Sequence, residues 1–317
     1  MIRLLHSNTL ASPALPAALR ALHGDGSARL YADLSAEPRS LFTESVAALG
    51  LSERISTAVR RAHAGLTVAS AGKGSREWAA YMVLRSAGNH RAELLLTPDA
   101  LIVRREGREG GFAYALGEDP EARIADLLAR GTDQLAYTLV DALADSFDPA
   151  LDRAAEALEA IEEQLVKGDP GALETLLDHK RELLALRFRV SILRETVNGL
   201  LGYEKTLITP EGMGYYRDLY GSIARVGELA EASSEQASMA LDLHLTAVNN
   251  ALSVTMKRLT GITAVLALAG ALAGLFGMSE AGAAFAGAEA SGFWLVTGLV
   301  VAICGGVALI LRRFGWI

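Results

Sequence analysis

Two stretches near the end of the chain, residues 259–277 (LTGITAVLALAGALAGLFG) and 293–311 (FWLVTGLVVAICGGVALIL), each run for 19 residues without a charge. At ~1.5 Å per residue, a helix of that length covers ~28 Å, close to the ~30 Å hydrocarbon core of a bilayer, so the pattern predicts two transmembrane helices. Lys257 and Arg258 precede the first span and Arg312 and Arg313 follow the second, while the loop 278–292 carries only Glu280 and Glu289 as charges. Basic flanks are retained in the cytoplasm, so both termini are expected on the cytoplasmic side of the cell (inner) membrane, in multi-pass topology.

Upstream, apolar runs at 29–34, 66–69, 78–84, 92–96 and 101–104 are separated by turn residues and predict β-strands. Thr97-Pro98-Asp99 reads as the hairpin turn between the last two. Residues 37–64 lie between strands and read as helical, which makes this part an α/β layer. From about Asp119 the pattern is helical only: Leu127, Leu128, Leu135, Leu139 and Leu143 recur at the spacing of an amphipathic helix.

Residues 150–167 and 172–205 predict an antiparallel helix pair around the breaker Gly168-Asp169-Pro170-Gly171. Glu156, Glu159 and Glu163 share one face of its first arm, with Glu162 beside them. That face reads either as a cation-attracting surface or as an ordinary solvated one. Thr209-Pro210 then supplies a helix cap and a first-turn proline, and no proline follows. One helix is therefore predicted from Glu211 to Phe276, ~100 Å long. Gly212, Gly214, Gly221 and Gly227 weaken its beginning by ~1 kcal/mol each relative to alanine, so neighbours must support it. The expected organisation is an α/β cytoplasmic domain (1–118), a helical cytoplasmic hairpin and stalk (119–258) and a two-helix transmembrane domain (259–317). As a fold class this is an α+β cytoplasmic domain, with an αβα-like layer plus long helices, followed by two transmembrane helices.

Composition narrows the chemistry. The net charge is −7 and no basic stripe with interleaved aromatics occurs, which excludes nucleic acid as the expected partner. The single cysteine, Cys304, lies in the second span, so neither a disulfide framework nor a CxxC metal site is expected. The six histidines show no HExxH spacing, and no GxSxG or GxxxxGK[ST] motif is present. An enzyme is not expected, nor a covalently bound cofactor. Two apolar helices cannot enclose an aqueous path, so transport would require several copies of the chain around an axis. The first span offers a suitable face of small or weakly polar residues at steps of three and four: Ser253, Met256, Thr260, Thr263, Ala267, Gly270, Gly274 and Gly277. Gly270 and Gly274, four apart, suit either close helix packing or the wall of a lumen.

The segment NNALSVTMKRLTGITAVLALAGALAGLFGMSE resembles the signature of the CorA family of divalent-cation channels, whose first span opens on an MKxLT motif and closes on Gly-Met-Asn. Met256-Lys257-Arg258-Leu259-Thr260 matches the opening and Gly277-Met278 the close. Tyr216-Arg217-Asp218-Leu219-Tyr220 is similar to the family's [FY]RDxY stalk motif, and the tail from Arg312 to Ile317 to its basic-aromatic end. Gln134 to Asp145 resembles the helix before the hairpin. The resemblance covers residues 120–317.

It implies a CorA-like funnel, a homopentamer in the lipid bilayer whose first spans line a pore for divalent cations. Magnesium, or cobalt and nickel, would be the substrate and magnesium a regulator, with flux driven by membrane potential and gated by cytoplasmic metal. Met256, Leu259 and Thr263 would form the narrow inner pore, with Thr260, Ala267, Gly270 and Gly274 on the same wall. Gly277, Met278, Ser279 and Glu280 would form the outer mouth, and Asp218 would hold regulatory metal between subunits. Ser279 departs from the family's asparagine, offering a shorter hydroxyl where an amide would meet the hydrated ion. Glu280 and Glu289 read as compensating acidic rings or as exposed loop acids. Two alternatives accompany this reading. One is a zinc transporter coupled to protons, resembling the ZntB branch through Ser291-Gly292-Phe293-Trp294. The other is a membrane-anchored scaffold homologue that does not conduct.

Overall fold

The computed structural model describes residues 2–4, 15, 19, 29–35, 37–62, 64–70, 78–106, 119–204, 206–277 and 290–316. They form two compact units, Met1–Ser238 and Met239–Ile317.

The first unit is built on a six-stranded sheet: β1 (Ile2–Leu4), β2 (Leu30–Asp33), β3 (Gly65–Ser70), β4 (Trp78–Arg85), β5 (Arg91–Leu96) and β6 (Ala100–Arg105), in the order β1-β2-β6-β5-β4-β3. Strands β3 to β6 form an antiparallel meander. The 97–99 turn sets Leu96 opposite Leu101, and Thr97 closes it by donating its N–H to the Ala100 carbonyl at 2.8 Å. β2 joins β6 in parallel, and β1 pairs antiparallel to β2 at the edge.

The five predicted strands are present, and the three-residue β1 is an addition. Its shortness explains why no alternation announces it. Strand side chains point to opposite faces in turn. On β4, Ala80, Met82 and Leu84 enter one core cluster, while Ala79, Tyr81 and Val83 enter the other. Burial on both faces explains why β4 reads as a nearly continuous apolar run.

One face is covered by α1 (Arg39–Ala48) and α2 (Glu53–Arg61), with Leu15 and Leu19 in the same cluster. Residues 37–64 are thus helical as expected, in two helices separated where Gly50, at φ +64°, turns the chain in a conformation that a side chain disfavours. The other face is covered by α3 (Pro120–Arg130), α4 (Thr132–Asp145) and α6 (Ala172–Leu201). The sequence rhythm from Leu127 to Leu143 suggests one helix, yet it is cut at Gly131, which is extended (φ 170°). The cut frees the Thr132 hydroxyl to donate to the Thr97 carbonyl at 2.7 Å, fastening α4 to the β5–β6 turn. α5 (Asp148–Lys167) and α6 form the predicted antiparallel pair, with Gly168 at φ +77° ending the first arm.

Arg39, Arg91 and Arg104 converge on the carboxylate of Glu93, which is wholly buried on the α1–α2 side of β5. The hydroxyl of Tyr81 donates to the same carboxylate at 2.6 Å. A buried charge is tolerated only when paired and hydrogen-bonded; here Oε2 is hydrogen-bonded by Tyr81, while Oε1 is held by the three ion pairs without a hydrogen bond.

Candidate functional site

The longest helix, α7 (Gly212–Gly277), runs 66 residues without a break and differs by one residue at each end from the predicted 211–276. A further helix, α8 (Ala290–Arg313), contains the second span, and both are long and apolar enough to cross a membrane. Helix α8 ends in a Schellman motif: the Trp316 N–H donates to the Leu311 carbonyl at 2.9 Å and Gly315, at φ +70°, donates to Arg312 at 3.1 Å. Arg312 and Arg313 occupy its last turn, where positive charge complements the helix dipole.

At about 100° per residue, Met256, Leu259, Thr260, Thr263, Ala267, Gly270 and Gly274 fall within an arc of about 100° on α7. All seven are exposed. The residues with reduced exposure in the same segment, Gly261, Val265, Leu268, Ala269 and Leu272, lie on the opposite side. The seven residues are thus part of the exposed side of the span, which also carries Ile262, Leu266 and Leu275. The Thr263 hydroxyl donates to the Leu259 carbonyl at 2.8 Å, which leaves its lone pairs for water or a hydrated ion. A Cβ added at Gly270, Gly274 or Gly277 would meet nothing within 4 Å, so none of these glycines is required by packing inside one chain. Met278, Ser279, Glu280 and Glu289 lie outside the described residues.

The N-terminal end of α7 is held by its first turns. Tyr216 is completely buried and its hydroxyl donates to the Asp133 carbonyl at 3.1 Å. The Asp133 side chain receives the N–H and hydroxyl of Thr209, and the Thr209 hydroxyl in turn accepts the N–H of Gly212 at 3.1 Å. That is the capping role predicted for Thr209. Leu219, Ile223, Val226 and Ala230 then continue the buried face of α7, and Arg187 of α6 pairs with Glu231 at 2.6 Å.

Asp218 is exposed on this part of α7. Tyr137 packs edge-on against Tyr216, with ring centroids 5.8 Å apart. Its hydroxyl is pushed up to about 12 by burial and by the negative charges of Asp141, Asp145 and Asp218. Burial and Asp145 also raise the Asp141 carboxyl above the ordinary range. Asp218 thus acts on the same tyrosine as two acids on α4, Asp141 and Asp145, that the sequence reading did not single out. Their signal was the spacing Tyr137, Asp141, Asp145, a single stripe at four-residue intervals on a helix whose other face is core. Among the described residues no group of three or more His, Cys, Asp or Glu side chains is close enough to hold a metal within one chain. Glu156, Glu159 and Glu163 are exposed on α5, and Glu163 pairs with Lys167 at 2.8 Å.

The family model described as CorA-like Mg2+ transporter protein matches residues 123–313. Among curated relatives, the cobalt/magnesium transport protein CorA of Thermotoga maritima is 29% identical over 197 residues, 62% of this chain and 56% of that protein. Its counterpart in Methanocaldococcus jannaschii is 26% identical over 189 residues, 59% of each chain. The match therefore spans less than two thirds of either relative. Among solved structures, the complete CorA magnesium transporter of M. jannaschii superposes with a TM-score of 0.73 at 18% identity, covering 91% of this chain and 92% of that one. The full-length CmaX protein gives 0.61 at 21% identity over 90% and 88%. At these identities the structural likeness is one of fold. The family match covers more than half of the chain, including the stalk and both spans, and this chain belongs to the CorA-like Mg2+ transporter family.

Proposed function

We propose that this protein carries divalent cations, magnesium first and cobalt or nickel as alternatives, across the membrane through a channel made of five copies of the chain. The observation that carries the reading is the exposed side of α7. Small and hydroxyl-bearing residues from Met256 to Gly274 lie along one side of an apolar helix, and the shielded residues lie on the other. Five such faces around an axis supply the aqueous path that a single hairpin cannot enclose. Rings of Met256 and Leu259 close it to ions by dewetting, while Thr263 offers oxygen. Ser279 and Glu280 act at the outer mouth. A potential of 100 mV supplies ~2.3 kcal/mol per charge, thus ~4.6 kcal/mol for a divalent ion, so uptake needs no nucleotide. Both termini lie in the cytoplasm, consistent with Lys257, Arg258, Arg312 and Arg313 flanking the spans.

Gating follows from Asp218. Asp218, Asp141 and Asp145 all act on Tyr137, and gathering three acids around one tyrosine has a cost in repulsion. Cytoplasmic magnesium shared with a carboxylate of a neighbouring copy relieves that cost and favours the closed assembly.

The test is metal uptake by proteoliposomes holding the purified protein, compared with empty vesicles, under a negative-inside potential. Magnesium, cobalt or nickel flux that rises with the potential supports the reading; absence of flux for all three and for zinc leaves the non-conducting scaffold. Ser291-Gly292-Phe293-Trp294, at the start of the second span, favours proton-coupled zinc transport as a second reading. Zinc uptake that follows an imposed pH gradient selects it.

A further inference from the structure

A cavity of about 370 Å³ opens between the β4–β5 turn and the α5–α6 hairpin, within the first unit and away from α7. It exists because the facing stripe of α5 is made of small residues, Ala150, Ala154 and Ala157, where larger ones would fill the space. Polar groups line the rest. Arg153 of α5 borders it and makes no hydrogen bond or ion pair among the described residues. Arg189 of α6 reaches across to donate to the Ala87 carbonyl in the turn. Burial and the positive charge of Arg85 pull the Arg189 guanidinium below its ordinary value, a crowding of like charges that Glu182 only partly offsets. His179, 8% exposed, also lines the cavity, and its Nε2 is buried without a partner. That atom is closed off from the cavity space, so His179 contributes to the wall and not to contacts with a bound molecule.

We propose that this cavity binds the phosphate group of a small organic molecule, with Arg153 and Arg189 as its ligands. Arg153 and Arg189 bring two positive charges to the wall against the one negative charge of Glu182, and Arg85, bonded to Asn89 in the turn, stands outside the lining. Guanidinium groups suit phosphate because they present paired N–H donors in one plane. The alanine stripe receives the apolar body of the ligand. Binding joins the α5–α6 hairpin to the sheet through the β4–β5 turn, and it stands independently of the transport reading.

The experiment is isothermal titration of the full-length protein in detergent with phenyl phosphate, with inorganic phosphate and phenol as comparisons. Phenyl phosphate is expected to bind more tightly than inorganic phosphate, and phenol not at all. Arg153→Ala weakens binding by about tenfold or more, as loss of one charge-assisted contact requires. Glu182→Gln tightens it by removing the repelling carboxylate, and Ala154→Leu abolishes it by filling the cavity without lowering the melting temperature. No heat with either phosphate overturns the proposal. So does phenyl phosphate binding that is unchanged in Arg153→Ala and Glu182→Gln, both at exposed positions where folding is not at stake. Inorganic phosphate binding as tightly as phenyl phosphate overturns the assignment of an organic ligand.

Discussion

The carboxylate of Asp133 accepts two hydrogen bonds from Thr209, from its N–H at 2.8 Å and its hydroxyl at 2.7 Å, and so ties the start of α4 to the cap of α7 across 76 residues of chain. Asp133 is 2% exposed and Thr209 is half-buried, so water replaces these bonds only in part. Asp133→Ala is expected to destabilise the first unit by about 1–2 kcal/mol, because it removes both bonds at once. Gly212→Ala reports on the same place by another route, since its Cβ would stand 2.4 Å from the Asp133 Oδ2. Thermal unfolding checks both, and midpoints equal to the parent's would show that this pairing does not hold α7.

Glu93 predicts a larger loss. Arg39 Nε and Arg91 Nη2 lie 3.3 Å from its Oε1 and Arg104 Nη1 lies 3.6 Å away. Removing the carboxylate leaves three guanidinium groups facing one another, so Glu93→Leu should cost about 3–5 kcal/mol. Tyr81→Phe removes one hydrogen bond to the ion and should cost about 1.5–3 kcal/mol. Denaturant titration ranks the two, and the reverse order would mean that the ion network is dispensable.

Asp141 carries a pH dependence whose sign is fixed. Its folded-state carboxyl is raised above the ordinary value by burial and then by Asp145. The folded chain then holds a proton that the unfolded chain has released. Stability is therefore fullest below the ordinary carboxylate value and falls as pH rises through the raised one. Asp141→Asn should flatten this slope and raise the melting temperature at neutral pH. A variant that melts lower at neutral pH, with the slope intact, would sink the assignment.

At the proposed outer mouth, Ser279→Asn replaces a hydroxyl by an amide with longer reach. Magnesium flux, or selectivity for magnesium, should rise in proteoliposomes. If neither changes, this position is not the selective ring.

Gly270→Leu and Gly274→Leu separate packing within one chain from packing between copies. Neither Cβ meets anything within 4 Å inside the chain. The melting of the first unit should stay unchanged while flux falls and the oligomer measured by light scattering shifts. Unaltered flux and unaltered assembly would count against the exposed side as a shared wall.

The spans, the stalk helix and the meander were legible because each rests on local signals: uncharged runs of membrane length, the Thr209-Pro210 start, and the Thr97-Pro98-Asp99 turn. The interruption at Gly131 was not, since leucines on both sides keep a helical rhythm through it. Only the long-range bonds of Thr132 and Asp133 show why the chain leaves the helix there. Glu93 was hidden for a similar reason, a lone acid in an apolar strand whose three cationic partners lie at 39, 91 and 104. Asp218 could be picked out by its motif, whereas Asp141 and Asp145 acquire meaning only when α4 lies beside it.

The parallel pairing of β2 with β6 sets Leu30 against Ala100, with β3, β4 and β5 between them in the chain. Closing so long a loop is slow relative to closing tight hairpins, so the meander should assemble first and the first two strands last. Pulsed hydrogen exchange during refolding would reveal this as late protection of Tyr31 and early protection of Leu94. Until then, β6 presents an unpaired edge, the kind of surface on which nascent chains associate wrongly. The beginning of this polypeptide thus acts as the closing piece of its own sheet, and a chain shortened at that end should be aggregation-prone before it is inactive.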